Sequence, residues 1–373
     1  MICYLYNKRE KVAELNGEIK TIKDGSPYPM FVCNSIQIIN PELRPFILCT
    51  QDYDSKVNEI NNWFQKRAIS KKRQGLPEYD EITLSGKPHF FTLTDQYWVC
   101  YDEKSETWDD LNFFTNDFDE SLGDYFFKKT CRLNYEGEIL TNKNIDSPDI
   151  TTGGVANKKW IIENGKRYLI KESVLKRETD IISEILASKL LQQMHFPDWL
   201  EITNYDVSLQ NFRICSKCEC FCDENTELVS AFDLCYAIPM NQPDDIPKVE
   251  QYYNHLKQVI DYCEIDNGLE FLKYLIGIDR RFGNPDRHLC NILFKRNVTT
   301  GELLCPAAIY DFGQAFTSEG EVHALFQQAT EEDINIIEKI KIQDAKNILT
   351  KLLCSKNKVD SYLQKINILN NLD

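Results

Sequence analysis

Residues Ile278 to Phe294 read I-D-R-R-F-G-N-P-D-R-H-L-C-N-I-L-F, and Ala307 to Phe316 read A-A-I-Y-D-F-G-Q-A-F. Asp286 is followed five positions later by Asn291, and Asp311 opens an Asp-Phe-Gly triplet. Ile292 to Phe294 and Ala307 to Tyr310 are short apolar runs on either side of a polar turn, which predicts two strands with polar groups held at their ends. That side-chain set suits phosphoryl transfer. Moving a γ-phosphoryl group requires a divalent cation on the phosphate oxygens, so one carboxylate and one neutral oxygen must converge on the metal while another carboxylate accepts a proton. Asp311, Asn291 and Asp286 fit those three roles in that order. An Asp five residues before an Asn is commonplace, and so is an isolated Asp-Phe-Gly; the combination at hairpin distance, with His288 inside it, is far more specific. His288 reads either as a core histidine bonded to backbone or as a group that orients the loop. Arg280, Arg281 and Arg287 are expected to pair with the loop carboxylates.

The run N-P-D-R-H-L-C-N-I-L-F with Y-D-F-G-Q-A-F resembles the catalytic and metal loops of bacterial HipA-like serine/threonine kinases, whose catalytic Asp likewise has a His two positions on and an Asn five on. The D-R-H-x-x-N-I-L spelling and the Asp-Phe-Gly are also similar to phosphoinositide-kinase-like enzymes. Both groups share the protein-kinase-like fold. The resemblance therefore implies an α+β chain with a two-lobed kinase unit, and ATP and Mg²⁺ as cofactors.

The chain has 373 residues, a 42% apolar share and a net charge of −15. It is long enough to bury one large or two modest cores. The acidic balance weighs against direct nucleic-acid binding, because phosphate affinity comes mainly from Lys and Arg. The fourteen cysteines are scattered, and the N-terminus M-I-C-Y-L-Y-N-K-R-E-K carries no signal-peptide apolar core. No apolar run approaches the roughly 18 residues of a membrane span. A reducing cytoplasm with free thiols is the expected setting.

Residues 1 to 50 predict short strands, the last of them in R-P-F-I-L-C. From Asp54 to about Arg73 the period turns helical, with Val57, Ile60, Trp63 and Phe64 on one stripe. The basic run Lys66 to Arg73 reads as a solvated helix end. The aromatic passage Phe90 to Phe118 reads as core more readily than as a recognition surface. Pro and Gly content places a boundary near 145 to 150. Residues 1–148 are thus expected to form an N-terminal α+β module, 149–226 a nucleotide-binding lobe and 227–373 a mostly helical lobe.

The segment Thr152-Gly153-Gly154-Val155-Ala156-Asn157-Lys158 is small, Gly-bearing and ends in a cation, as phosphate-cradling loops do. Asn164-Gly165 between apolar runs predicts a hairpin whose second strand ends at Lys171. By the kinase-like resemblance, Lys171 clamps phosphates and pairs with a carboxylate on the next helix. That helix is expected from Glu178 to Met194, with Ile182, Leu186, Leu190 and Met194 on its buried stripe. Glu184 matches the HipA-like pattern for the partner, and Glu178 is expected to serve the helix start. The family's phosphate loop reads Gly-x-Gln-x-Lys; here Lys158 matches and the Gln is missing. Some members phosphorylate this loop themselves, for which Ser147, Thr151 and Thr152 are the candidate acceptors. Strands from Tyr205 to Val229 are expected to complete the lobe, with backbone at Glu219, Cys220 and Phe221 holding adenine. Four thiols in C-S-K-C-E-C-F-C, extended, cannot all face one tetrahedral zinc. Helices are expected at Val249 to Ile265, at Leu269 to Arg281 and, three more, beyond Glu331. T-S-E-G-E-V-H after Phe316 is a candidate activation segment.

These readings point to a kinase acting on Ser or Thr of a protein substrate, with Asp286 as base, His288 beside it, Asn291 and Asp311 on the metal, and Lys171 with Glu184 as the clamp. An antitoxin-like or regulatory partner goes with the resemblance. The alternatives are a small-molecule or phosphoinositide-type kinase and a nucleotide-binding regulator without turnover. A regulator has no need of Asp286, and no basic amphipathic helix favours a lipid acceptor.

Overall fold

The protein is described from a computed structural model. It covers residues 1–20, 30–49, 53–67, 89–121, 123–124, 127, 147–149, 151–152, 155–175, 178–238, 248–316 and 335–371. The class is α+β, with three antiparallel sheets.

The first sheet, in the order β3-β2-β1-β4, comprises β1 (Ile2–Asn7), β2 (Glu10–Lys20), β3 (Met30–Ile38) and β4 (Tyr97–Cys100). Cys3 and Leu5 on β1 and Ala13 and Leu15 on β2 alternate and are fully buried, as is Val12 where the register shifts, and α1 (Tyr53–Lys66) packs on this core with Ile60 and Phe64. R-P-F-I-L-C is not a strand: Phe46–Cys49 is a 3₁₀ turn, with Leu48 N–H bonded to the Pro45 carbonyl and the consecutive Ile47 and Leu48 both buried. A strand would have sent those two to opposite faces. The aromatic passage is core, as Phe91 stacks on Trp98 beside Trp108, which opens the single-turn α2 (Trp108–Leu111).

The second sheet is ordered β5-β6-β8-β7, from β5 (Lys158–Glu163), β6 (Lys166–Lys171), β7 (Asp206–Gln210) and β8 (Arg213–Glu219). Asn164 and Gly165, with φ of 53° and 76°, make the primed turn of the β5–β6 hairpin. Against this sheet lies α3 (Thr179–Leu191), which is buried nearly all round instead of along one stripe; Met194 falls beyond its end. Glu178 holds the N-cap position in a left-handed conformation without a capping bond. Asp180 does the local work instead, accepting from Val174 N–H at 2.8 Å.

β9 (Thr226–Ser230) leaves that sheet and pairs with β10 (Leu293–Asn297), which pairs with β11 (Leu303–Pro306). The strand at Thr226–Ser230 thus belongs to a different sheet from β5 to β8, because its ladder partner is β10. Pro306 ends β11 because it has no N–H for the ladder. Ala307 to Tyr310 then continue without a hairpin, and Ile309 forms a single parallel bridge with Ile202. Helices α4 (Ala231–Ala237), α5 (Lys248–Tyr262), α6 (Gly268–Phe282), α7 (Ile342–Lys351) and α8 (Lys356–Asn370) pack with α3 around one large apolar cluster. Gly283 (φ 57°) and Asn284, bonding back to Arg280 and Asp279, end α6 in a Schellman motif just before the loop that carries Asp286 and Asn291. The basic run beyond Arg67 and the segment after Phe316 fall outside the described residues; of the expected first helix after Glu331, residues 335–341 are described and run as a turn and irregular chain into α7. Among the described residues no helix is long and apolar enough to cross a membrane.

Candidate active site

The β5–β6 register sets Lys158 opposite Lys171, so both ammonium groups leave the same face of the sheet. Lys171 Nζ lies 2.9 Å from Glu184 Oε1 and 2.9 Å from Asp311 Oδ1. Glu184, wholly buried in α3, also accepts a hydrogen bond of 2.7 Å from Ser216 on β8. Burial alone would lower the Lys171 pKa, but Asp311 and Glu184 overrule it and hold the ammonium charged well above its ordinary range. Burial would raise Asp311; Lys171, then Lys158, pull it well below the ordinary carboxylate value. The three groups thus link the second sheet and α3 to the Asp-Phe-Gly segment, with 140 residues of sequence between Lys171 and Asp311.

Asn291 donates to Asp311 Oδ2 at 3.1 Å and to the Asp286 carbonyl at 3.2 Å. Asp286 itself is exposed, and among the described residues its carboxylate has no protein partner. His288 is exposed and caps a short 3₁₀ turn through its backbone, with Asn291 N–H bonded to its carbonyl at 2.8 Å. Its core reading is therefore overturned, and its ring faces water.

Arg287 is the residue on which both loops are built. It is completely buried and its guanidinium grips Asp279 of α6 through two bonds of 2.9 and 3.1 Å. Its remaining nitrogen donates to the carbonyls of Asn291 at 3.0 Å and Tyr310 at 2.5 Å, one from each loop. The pairing expected for Arg287 was with loop carboxylates; the carboxylate comes instead from the helix. Arg281 is buried and reaches the Leu369 carbonyl at 3.4 Å, while Arg280 Nε is buried without a partner among the described residues. Neither is in the site. Asp279 was missed from sequence, although a lone carboxylate between Ile278 and Phe282 on an apolar helix face demands a cation.

The phosphate-loop candidates divide. Gly153 and Gly154 lie outside the described residues. Thr152 is half-buried, Val155 is exposed and Ala156 is buried. The Asn157 side chain does not face the site: its amide donates to Glu172 Oε2 at 3.0 Å, and Glu172 pairs with Arg213 at 2.7 Å. Register explains this, since neighbouring residues entering a strand point to opposite sides. Ser147 and Thr151 are buried with their hydroxyls on the carbonyls of Asp119 and Pro148, a poor placement for acceptors.

Glu219 ends β8, and residues 220–225 run to β9 as the link between sheets. Cys220 N–H is bonded to the Arg167 carbonyl at 2.8 Å, and the Phe221 ring packs 5.9 Å from that of Tyr310. Among the described residues the Phe221 backbone N–H and carbonyl have no protein partner. A cavity of about 610 Å³ opens behind this link, between Tyr168, Phe196, Ile202 and Phe221. None of Lys171, Glu184, Asp286, Asn291 or Asp311 lines it, so it is not the catalytic cleft. Cys215 packs on Ile170 and Phe127, whereas Cys218 packs on Ile181 and Ile185. The two thiols thus leave opposite faces of β8, and among the described residues no cluster of three metal-ligating side chains is present.

A magnesium ion bound with a nucleotide asks for few protein oxygens, because phosphates and water supply the rest. The Asp311 carboxylate and the Asn291 amide, already in contact, meet that demand.

No family model matches the chain, and no curated protein does. Among solved structures it is similar to the proinflammatory kinase CtkA of Helicobacter pylori, at 15% identity and a TM-score of 0.45, over 57% of this chain and 90% of that one. It is also similar to HipA of Shewanella oneidensis, solved as a toxin-antitoxin complex with HipB and operator DNA, at 12% identity and a TM-score of 0.46, over 99% and 90%. At such scores a likeness carries no argument about activity, which rests here on side-chain geometry.

Proposed function

We propose that the protein is an ATP- and Mg²⁺-dependent kinase that phosphorylates Ser or Thr of a protein. The observation that carries this reading is Lys171 Nζ standing 2.9 Å from both Glu184 and Asp311. A purely structural triad would not need Asn291 on the other oxygen of Asp311, nor an exposed carboxylate at Asp286 on the same loop. Mg²⁺, when bound with the nucleotide, would supply charge neutralisation on the phosphates. Lys171, kept in place by Glu184, would hold phosphate oxygens, and Asp311 with Asn291 would hold the metal. Asp286 orients the acceptor hydroxyl and takes its proton. The exposure of Asp286 suits a macromolecular acceptor that brings its hydroxyl to the surface, and not a small molecule enclosed in a pocket. A regulatory partner of the antitoxin kind and a cytoplasmic setting belong to the same proposal.

The test is transfer from labelled ATP to protein acceptors. Asp286→Ala should lower kcat by about 10²- to 10⁴-fold, the usual worth of a general base, and leave ATP affinity nearly unchanged. Equal turnover by Asp286→Ala and the unaltered protein would remove the kinase reading.

A further inference from the structure

We infer that Tyr205 is a positioning residue that holds the Asp311 backbone in its metal-binding conformation while the side-chain contacts of Asp311 are exchanged for ligands. The inference rests on the kinase reading for its metal role alone. Asp311 sits at φ 59°, a left-handed conformation that is strained for a residue with a side chain. Such a conformation persists only where its surroundings over-determine it. Two of the contacts that do so are temporary. Lys171 and Asn291 both hold the Asp311 carboxylate, and both are the groups that must turn to phosphate and metal during turnover.

Tyr205 contacts the main chain instead. Its hydroxyl accepts from Asp311 N–H at 3.4 Å, so this restraint survives when the carboxylate turns to a cation. The phenol is itself fixed. Its ring is buried against Ile181, Ile185 and Cys218, and its backbone N–H is bonded to Ser188 of α3 at 2.9 Å. Ser188 in turn donates to the Thr203 carbonyl at 2.7 Å. Thr203 N–H bonds the Ile309 carbonyl, and Ile309 N–H bonds that of Glu201, both at 2.9 Å. Residues 201–205 therefore tie the helix that carries Glu184 to the strand that delivers Asp311. Burial, then the Glu184 charge, raise the phenol pKa far above its ordinary range, so the hydroxyl stays neutral.

Tyr205→Phe removes the oxygen and keeps the ring. Amide exchange of the 308–314 peptide, followed by mass spectrometry in metal-free protein, should quicken about fivefold or more, the worth of one ordinary hydrogen bond. Calorimetric Mn²⁺ affinity in the presence of a non-hydrolysable ATP analogue should weaken by a similar factor, with the melting temperature and metal-free analogue affinity nearly unchanged. Unchanged exchange overturns the inference whatever the protein's activity. Faster exchange with unchanged Mn²⁺ affinity overturns the metal role. Equal losses in melting temperature, nucleotide affinity and metal affinity overturn positioning in favour of plain packing. Should the unaltered protein bind neither analogue nor Mn²⁺, the kinase reading fails, and the exchange result alone decides whether Tyr205 holds the loop.

Discussion

Lys171 is the residue whose removal tells most, because it neutralises two carboxylates that have little access to water. Glu184 is fully buried and Asp311 is 28% exposed. Taking one partner out of a buried ionic group typically costs about 3–5 kcal/mol, since the remaining charge is left uncompensated. Lys171→Met should therefore destabilise the fold by roughly that amount at pH 8. The loss should shrink toward pH 5, where the abandoned carboxylates can take up protons. The unaltered protein should behave in the opposite sense. Asp311 is held below its ordinary value, so its contribution is present at and above the ordinary carboxylate range and is lost as pH falls toward the depressed folded value. Urea unfolding of both proteins at the two pH values checks this. A Lys171→Met penalty that grew as pH fell would mean the carboxylates are not charged in the native state.

At the scale of elements, the two hairpins of the second sheet show what sequence does and does not reveal. Asn164-Gly165 announced its turn because glycine takes positive φ freely. The β7–β8 turn uses the same conformation, with φ of 49° at Asn211 and 64° at Phe212, but places a fully exposed phenylalanine where glycine belongs. Phe212→Gly should thus stabilise the protein by about 1 kcal/mol, having relieved left-handed strain without losing packing. A thermal melt reads the gain, and a lower melting temperature would show that the Phe212 ring has packing worth more than the strain. The same contrast runs through the site. The convergence of Lys171, Asn291 and Asp311, with Asp286 on the same loop as Asn291, was legible because short spacings and strand ends mark these positions. Asp279, Ser216 and Tyr205 were not, since each acts through a partner brought near only by tertiary folding: Arg287, Glu184 and Asp311. The all-round burial of α3 was hidden for another reason. Its polar residues Ser183, Glu184 and Ser188 broke the apolar pattern, yet each is satisfied inside the core, by Tyr362, Lys171 and Thr203.

Over the whole molecule, the N-terminal segment is fastened to both the second and the third sheet instead of being strung ahead of them. Arg167 of β6 reaches the carbonyls of Phe113 and Asn116, and Lys159 of β5 pairs with Asp124 at 2.5 Å. On the other lobe, Gln96 donates to the carbonyls of Asp223 and Thr226, at the end of the interlobe link, and Leu228 N–H bonds Thr94. The centre of this junction is a buried pair, Arg296 with Glu227 at 2.6 Å, which Tyr97 joins at 3.4 Å. Arg296 also reaches the carbonyls of Glu42, Arg44 and Gly301. It is therefore well hydrogen-bonded without Glu227, whereas Glu227 Oε2 is buried with no partner among the described residues. Burial lifts the Glu227 carboxyl from its ordinary 4.5 to about 7, against the pull of Arg296. The sign of the linkage follows. A carboxyl whose folded pKa lies above its unfolded one binds its proton more tightly when folded, so its contribution is complete below 4.5 and is lost as pH rises through about 7. Glu227→Gln keeps the shape and a neutral side chain at every pH. It should leave stability near pH 4.5 almost unaltered and make the protein more stable than the parent at pH 8, with the difference opening between those values. Urea midpoints measured across that range test the junction directly, and a Glu227→Gln protein less stable than the parent at pH 8 would mean that the ion pair, and not the proton, fastens the module to the lobes.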